Sequence, residues 1–397
     1  MATRLDPQLL KEFKEYGAVG VEKCFNCGNC TAVCSLVSND DQFPRRIIRM
    51  AQLGMRDQLL GSKELWLCYN CGECSETCPQ QAEPANFMAA ARCYAVTNYD
   101  PVGLGRLFCK VPLVGGLIVV LMVLFFGLFM YTRSGSMSSE SLKLFGFIPY
   151  PLIHTGGLIA MILIGLVSLV TVFNMISRIA RANNITLKNY LNGSQMNWFH
   201  AFWEAVIVQS LGQKRYREEC EVPENRGAWY LSKWFVHAAT MWGFLGLLLT
   251  TALDYLLDIV GLKATGAIVP IWYPTRLLGT LSGLLFIYGV CVLLIKRWRA
   301  PDKAHSYSRP ADWIFLSLLW FSGVTGFIIE IGLYLPGAPI WAYWMFLFHV
   351  AVSMVLLLLL PFTKFAHAIY RIVALYIHAL RPVAESKTKQ VEAASAD

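Results

Sequence analysis

The chain has 397 residues, of which 56% are hydrophobic and only 15% are charged, and its mean hydropathy is +0.47. Ordinary soluble domains carry about a quarter charged residues, so this composition excludes a wholly soluble protein and indicates a membrane protein with a soluble part. The net charge is +8, but residues 1–100 hold ten Lys and Arg against twelve Asp and Glu, a net charge of −2. The positive excess lies beside apolar segments, where membrane topology explains it, and no nucleic-acid partner is expected.

Short helices are predicted within the first hundred residues. Charged and apolar positions alternate at helical spacing over 5–16, and Pro44 can open a helix with Ile47 and Met50 on one face. A further helical piece is predicted over 56–67. Because no convincing β-alternation occurs, we expect this region to be largely helical.

Two cysteine runs dominate this region. Each run places three cysteines two residues apart and a fourth after three more residues: Cys24, Cys27, Cys30 and Cys34, then Cys68, Cys71, Cys74 and Cys78. In two-cluster ferredoxins, a run of this kind gives three ligands to its own [4Fe-4S] cluster and its fourth to the other. The predicted ligands of the first cluster are Cys24, Cys27, Cys30 and Cys78. Those of the second are Cys68, Cys71, Cys74 and Cys34.

Other cysteine chemistries fit this spacing less well. Structural zinc takes four cysteines in paired C-x2-C units, but it needs neither the third cysteine at the same spacing nor the doubled fourth. A disulfide framework is a poorer alternative, because no secretory signal is recognised before the first run. Gly28 and Gly72 follow the second cysteine of each run, where a residue without Cβ lets backbone amides turn toward the sulfurs.

The rest of the chain contains six apolar segments, each long enough for the about 20 residues that cross a bilayer. They are 111–131, 150–176, 229–257, 275–295, 311–335 and 341–370. The predicted fold is therefore all-α, with a helical two-cluster ferredoxin domain followed by a six-helix transmembrane bundle. The predicted divisions are a ferredoxin domain over 1–98, a linker over 99–110, a membrane domain over 111–377 and a tail over 378–397.

Basic residues predict the orientation in the membrane. They concentrate in two loops: Arg178, Arg181, Lys188, Lys214, Arg215, Arg217 and Arg226 in one, and Lys296, Arg297, Arg299, Lys303 and Arg309 in the other. The loops on the opposite side of the membrane contain few basic residues. By the positive-inside rule, the cluster domain and the C-terminus lie on the cytoplasmic side of the inner membrane.

Four histidines lie within the predicted spans: His154, His237, His349 and His367. Ionisable groups inside a membrane are costly and indicate function, although an interhelical hydrogen bond explains any single histidine equally well. His349 and His367 are eighteen residues apart on one predicted helix, which separates them by about 27 Å, so they cannot share an iron. Depth pairs His237 with His367 near the inner face and His154 with His349 near the outer face, which predicts two bis-histidine haem b sites.

The remaining polar groups give weaker signals. Glu330 is a candidate proton acceptor, because oxidation of a quinol releases protons, but a carboxylate hydrogen-bonded to a neighbouring helix is an equal alternative. His200 lies in an amphipathic stretch that we expect along the inner interface. The other cysteines and histidines are expected to be inert or solvated: Cys93, Cys109, Cys220, Cys291, His305 and His378.

The N-terminal region resembles the small iron–sulfur subunit of heterodisulfide reductase over residues 21–98. The resemblance rests on the cysteine runs with their two glycines, on the basic segment Pro44-Arg45-Arg46 and on Trp66 before the second run. In that family, disulfide chemistry depends on a motif with two adjacent cysteines on another subunit, and this sequence lacks that motif. The resemblance therefore implies that the chain passes electrons and does not itself reduce a disulfide.

The membrane half resembles the cytochrome b subunit of respiratory nitrate reductase from residue 232 to residue 377. The segments that carry His237, His349 and His367 support the resemblance, which implies haem b. In that family the third helix carries a second histidine about three turns on, where this chain has Gly246 and Leu247. His154 is therefore assigned to the outer haem by its depth and not by a motif.

The fusion of these two parts resembles the membrane subunit of the quinone-interacting membrane-bound oxidoreductase family of sulfate reducers. The resemblance implies a quinone-reactive electron-transfer subunit that uses menaquinone, with two cytoplasmic flavin and iron–sulfur subunits as partners and adenylylsulfate reductase downstream. No G-x-G-x-x-G fingerprint occurs, so flavin chemistry is expected on another subunit. Two alternatives stay open: a membrane anchor of a heterodisulfide-type reductase with another lipid carrier, and a transporter or channel with a structural cluster domain.

Overall fold

The computed structural model describes residues 5–37, 42–183, 198–219, 228–300 and 303–380. These residues form helices joined by turns, and no strand occurs among them, which confirms the predicted all-α fold. Some residues used in the sequence predictions lie outside the described residues, namely Lys188, Cys220, Arg226 and the tail from residue 381 onward.

Most helices of the N-terminal region are short. The α-helices of this region, short and long, are Leu9–Glu15, Asn29–Ala32, Arg45–Gln52, Arg56–Leu60, Glu64–Leu67, Glu73–Glu76, Pro84–Tyr99 and Leu104–Lys110. The helix predicted after Pro44 is confirmed, with Ile47 and Met50 buried. The single piece predicted over 56–67 is wrong, because it forms two helices that separate near Gly61. A Cβ at Gly61 would lie 2.2 Å from the Cβ of Ala182, so this turn requires glycine, a poor helix former.

The helix Pro84–Tyr99 forms the centre of the N-terminal region. Its Phe87, Tyr94 and Tyr99 are almost fully buried. Phe13 packs on Phe87 and Tyr94 with ring centroids 5.1 and 4.8 Å apart. Burial of one such side chain contributes about 1.5–3 kcal/mol, so this aromatic cluster holds the short helices around a common core.

Six helices of the described residues are long and apolar enough to cross a membrane, which confirms the predicted number. We name them span 1 to span 6 in chain order: Pro112–Tyr131, Tyr150–Ala182, Lys233–Ile259, Pro274–Arg299, Pro310–Tyr334 and Ile340–Leu358. Large apolar side chains such as Leu124 and Phe173 are exposed, as expected of helices whose outer surface meets lipid. Spans 3 and 4 approach closely, since a Cβ at Gly243 would lie 2.5 Å from the backbone nitrogen of Phe286.

The predicted single helix over 341–370 is wrong. Span 6 ends at Leu358, a short 3₁₀ turn Leu360–Phe362 follows, and a separate helix begins at Ala366 and runs to Ala379. Proline lacks an N–H group and its ring clashes with the preceding turn, so Pro361 ends the helix where only a kink was predicted. We call Ala366–Ala379 the final helix. His367 lies on it and not on the same helix as His349, so the predicted separation of 27 Å along one helix does not apply.

The N-terminal region docks against span 2 and the final helix. The Asn174 side chain near the end of span 2 donates to the Tyr99 carbonyl at 2.9 Å, and Arg178 donates to the Asn98 carbonyl at 3.2 Å. On the final helix, Tyr370 is buried in the same apolar core as Trp66. The second cysteine run is thereby held against these helices.

The region predicted as a linker, 99–110, contains the helix Leu104–Lys110. The Asp100 side chain accepts hydrogen bonds from the backbone N–H groups of Val102 and Gly105, which shapes the short turn before this helix. Cys93 and Cys109 were predicted to be inert, but the structure joins them in a disulfide with Cα atoms 5.8 Å apart. Two helices that pack side by side bring these distant sulfurs together, which sequence spacing does not reveal.

Candidate functional site

Four cysteines from both runs line one cavity in the N-terminal region. They are the residues predicted for the first cluster, Cys24, Cys27, Cys30 and Cys78. We call them the first cysteine group. Burial raises the pKa of the Cys30 thiol to about 11, and the nearby sulfurs of Cys24, Cys27 and Cys78 contribute to this rise. Chain folding therefore brings Cys78, the last cysteine of the second run, to the first run.

The other four cysteines form the second cysteine group, which consists of Cys34, Cys68, Cys71 and Cys74. Burial raises the pKa of Cys34 to about 11, and its neighbours Cys68 and Cys71 contribute to this rise. Burial also raises the pKa of Cys74 well above its usual range, with the same two sulfurs contributing. Cys34 thus lies with the second run, which is the exchange of fourth cysteines that the spacing predicted.

The two runs share a backbone conformation around their second cysteine. Gly28 and Gly72 have φ angles of 92° and 99°, and each precedes a one-turn helix that carries the third cysteine. Asn26 and Asn70 also have positive φ angles, of 66° and 57°. Asparagine tolerates this conformation better than most residues. The asparagines repeat one residue before the second cysteine of each run, a visible signal that was not among the sequence predictions.

Each group has a backbone amide that faces a sulfur. The N–H of Asn70 donates to the Sγ of Cys68 at 3.4 Å, and that of Ala82 donates to the Sγ of Cys78 at 3.3 Å. Buried thiols that crowd together ionise only when a cationic centre compensates their charge, so both groups fit a metal cluster. Among the described residues, no three His, Cys, Asp or Glu side chains are arranged to hold one single metal ion.

His237 and His367, the predicted inner haem ligands, lie near one another beside the second cysteine group. The His367 ring is half-buried, and the charged or ionisable side chains near it include those of Arg92, Arg371, His237 and Lys364. The His237 side chain keeps an exposed surface, and its Nδ1 atom lies 3.1 Å from the Oε1 atom of Gln213. A partner at Nδ1 leaves Nε2 available for a metal, so the surroundings of His237 fit ligation of a haem iron.

Aromatic rings connect the inner histidines with the second cysteine run. Trp66 lies 6.3 Å from the His367 ring, centroid to centroid. Tyr69 stacks on Tyr216 at 5.0 Å, and Tyr216 contacts the His237 ring edge-on at 5.8 Å. Trp66 and Tyr69 lie on either side of Cys68 in the sequence. One ring, that of Trp66, therefore separates the second cysteine run from His367, and two rings, those of Tyr69 and Tyr216, separate it from His237.

The outer histidines, His154 and His349, have different surroundings. The Nδ1 atom of His349 lies 2.9 Å from the Oγ1 atom of Thr325 on span 5, which again leaves Nε2 available. His154 is only half-buried, and its ring stacks on Tyr255 at 4.6 Å and on Tyr150 at 5.7 Å. His349 fits haem ligation, whereas the ring neighbours of His154 are aromatic side chains.

Gly246 lies in the part of span 3 where the nitrate reductase family has its second histidine. A Cβ at Gly246 would lie 2.2 Å from the Oγ atom of Ser282 on span 4. A larger side chain at this position would displace the Ser282 side chain. The departure from the nitrate reductase pattern therefore accompanies close contact between spans 3 and 4.

Glu330, the candidate proton acceptor, has two partners on span 4. Its Oε1 atom accepts a hydrogen bond from Thr280 at 2.6 Å and forms an ion pair with Arg276 at 3.2 Å. This arrangement matches the structural alternative considered for a membrane carboxylate. Among the weaker candidates, His200 is exposed, whereas His378 is half-buried and not solvated as predicted.

A double cysteine-run region docked on six apolar helices defines an iron–sulfur membrane protein. Residues 20–82 match the family model described as a 4Fe-4S dicluster domain, which favours iron–sulfur clusters over zinc at the two cysteine groups. Residues 103–388 match the model described as citrate utilization protein B. That match covers more than half of the chain, and the chain therefore belongs to the citrate utilization protein B family.

The curated relatives match less than a quarter of the chain. One subunit of the H(2):CoB-CoM heterodisulfide,ferredoxin reductase of Methanothermobacter thermautotrophicus is 32% identical over 88 residues, which are 22% of this chain and 48% of that protein. The iron-sulfur subunit of the CoB–CoM heterodisulfide reductase of Methanopyrus kandleri is 34% identical over 96 residues, 22% of this chain and 50% of that protein. The chain thus spans about half the length of these relatives. No solved structure matches it.

Proposed function

We propose that the chain is a membrane subunit that carries electrons between menaquinone and cytoplasmic flavin and iron–sulfur subunits. In this proposal the first and second cysteine groups hold one [4Fe-4S] cluster each, and His237 with His367 and His154 with His349 hold two haems b. Iron–sulfur clusters and haems supply one-electron redox chemistry when bound. The chain contributes the ligands, their spacing and the low-dielectric surroundings.

The observation that carries the proposal is the contact between the second cysteine run and the inner histidines. Trp66 packs toward His367, and Tyr69 reaches His237 through Tyr216. A structural cluster domain of a transporter would not require its cysteine loop to lie against the membrane histidines. The arrangement favours a redox route over the transporter alternative.

The finer assignments follow from the resemblance to the quinone-interacting membrane-bound oxidoreductase family. They are two flavin and iron–sulfur subunits as partners and adenylylsulfate reductase as the downstream enzyme, whereas the cytoplasmic side for both termini follows from the positive-inside rule. Glu330, already paired with Arg276, would take part in proton transfer only if that ion pair opens. The relatives that belong to heterodisulfide reductases favour one rival, a membrane anchor of a heterodisulfide-type reductase. Proteins that copurify with the chain would distinguish the two.

Haem content tests the proposal directly. The full-length protein in detergent should give a reduced-minus-oxidised spectrum with haem b bands. His237→Ala and His367→Ala should each remove the same haem, because both residues would bind one iron, and His349→Ala should remove the other. His200→Ala is the control, since His200 is exposed outside the spans and should leave the haem content unchanged. A spectrum without haem b bands in the unmodified protein would overturn the proposed route.

A further inference from the structure

We propose that the second cysteine group holds the cluster that exchanges electrons with the redox centres of the membrane helices. In the same proposal, Arg92, Lys233 and Arg371 are positioning residues that hold its loop there and raise its reduction potential above that of the first group. This inference rests on the proposed electron-transfer function and adds the order in which its redox centres exchange electrons. Each transfer moves one electron, so the centre that loses it is oxidised as the next is reduced, and no atom moves.

Arg371 on the final helix binds the start of the second cysteine loop. Its Nη1 atom donates to the carbonyl of Trp66 at 2.9 Å and to those of Leu67 and Cys68 at 3.3 Å. Its guanidinium carbon lies 3.9 Å from the centre of the Tyr69 ring. One cation from the far end of the chain therefore holds four consecutive residues that lead into the loop.

Two further cations bind the same loop. Arg92 donates from Nε to the Leu65 carbonyl at 2.7 Å and from Nη2 to the Cys68 carbonyl at 2.5 Å. Lys233, the first residue of span 3, donates from Nζ to the Cys71 carbonyl at 3.0 Å. The loop is therefore fastened to the central helix of the N-terminal region, to span 3 and to the final helix, and the last two of these carry His237 and His367.

The first cysteine group lies in a more open setting. Cys27 is exposed, and the neighbouring Phe25 is 61% exposed. Arg45 lines the same cavity, with its Nη1 atom 3.2 Å from the place where a Cβ of Gly28 would lie. This group is accessible to a soluble partner, whereas the aromatic contacts with the membrane histidines start from the second group.

The two cysteine groups have different electrostatic surroundings. Reduction adds a negative charge to a centre, so nearby cations favour the reduced form and raise the reduction potential, whereas burial opposes the added charge. At the second group, three cations of the loop act in a low-dielectric interior, where screening by water and salt is weak. We therefore expect the cations to outweigh burial and to make the second group the easier one to reduce.

The test is a redox titration of the full-length protein followed by the electron paramagnetic resonance signals of the reduced clusters. Arg371→Gln and Arg92→Gln should each lower the potential of one cluster, so that the ratio of its reduced to its oxidised form at a fixed potential falls by about tenfold, or about 59 mV for a one-electron couple. Arg371→Lys keeps the charge, so the potential of this cluster should stay close to its value in the unmodified protein. Arg45→Gln is the matched control and should change the reduction potential of only the other cluster.

Ligand variants identify the signals. Cys71→Ser should alter the signal that Arg371→Gln moves, and Cys27→Ser the signal that Arg45→Gln moves. If Arg371→Gln and Arg92→Gln leave both potentials unchanged, or if they move the signal that responds to Cys27→Ser, the inference is wrong. A protein with no cluster signals at all would instead refute the proposed function, so the two failures are distinguishable.

Discussion

The two cysteine runs are almost copies of one another, with Cys-Phe-Asn-Cys-Gly in the first and Cys-Tyr-Asn-Cys-Gly in the second, yet they lie in different surroundings. The residue after the first cysteine illustrates the difference. Phe25 is largely exposed, whereas Tyr69 stacks on Tyr216 and lies under Arg371. A motif therefore specifies the ligands and the local backbone, while residues about 150 and 300 positions away decide what surrounds them.

The largest effect that can test this comparison is loss of a cluster ligand. Cys30→Ser and Cys74→Ser should each remove about half of the non-haem iron, because each residue is assigned to a different cluster. Cys74→Ser should in addition lower the thermal stability more than Cys30→Ser, because the second loop also fastens the N-terminal region to span 3 and the final helix. Iron analysis and the midpoint of thermal unfolding in detergent measure the two effects.

Cys291 provides a control for substitution of a cysteine as such. It is a free cysteine on span 4, outside both groups, and Cys291→Ser should leave the iron content unchanged. Equal losses of thermal stability in Cys30→Ser and Cys74→Ser would contradict the view that the second loop has the additional docking role.

A smaller effect is expected from Trp66→Ala. Trp66 is 1% exposed and packs on Tyr370 with ring centroids 4.9 Å apart, so truncation should cost about 3–5 kcal/mol of unfolding free energy. Phe25→Ala, the comparable change beside the first group, should alter it by less than about 0.5 kcal/mol because Phe25 is exposed. Urea titrations of both variants measure the difference, and similar costs would show that the two settings are alike.

The smallest effect should come from the ion pair that joins the surroundings of the two groups. Arg46, on the helix after Pro44, lies 3.7 Å from Glu64, on the short helix before the second run. Half of the Arg46 side chain is exposed but only 9% of the Glu64 side chain is, so Arg46→Ala leaves a nearly buried carboxylate without this partner and should cost about 1–3 kcal/mol of unfolding free energy. The same urea titration applies, and a loss larger than this would mean that this pair, and not apolar packing, connects the two regions.

Much of the architecture could be predicted because it depends on local patterns. Apolar length predicted the number of spans, and cysteine spacing predicted which sulfurs lie together. Local patterns failed where tertiary contact decides the outcome. The split near Gly61 depends on contact with Ala182, and the disulfide between Cys93 and Cys109 depends on how two helices pack. The end of span 6 at Pro361 is the exception, since proline was visible and its effect was underestimated.

The candidate site was predictable in part for the same reason. Histidine depth indicated that His237 and His367 belong together, and the two lie close in the structure even though the predicted helix that led to this pairing is broken. The cations that bind the second loop were not predicted, because Arg92, Lys233 and Arg371 belong to no local motif and contact backbone carbonyls. Their role follows only from the three-dimensional arrangement.

The bond between Cys93 and Cys109 closes a ring of chain at the junction between the cysteine region and span 1. A protease that cuts within this ring, between residues 94 and 108, would leave both fragments covalently attached. They would separate on a denaturing gel only after a thiol reductant is added. Because such bonds are rare in cytosolic proteins, the fraction of freshly isolated chains that stay attached would also report which face of the membrane this junction occupies.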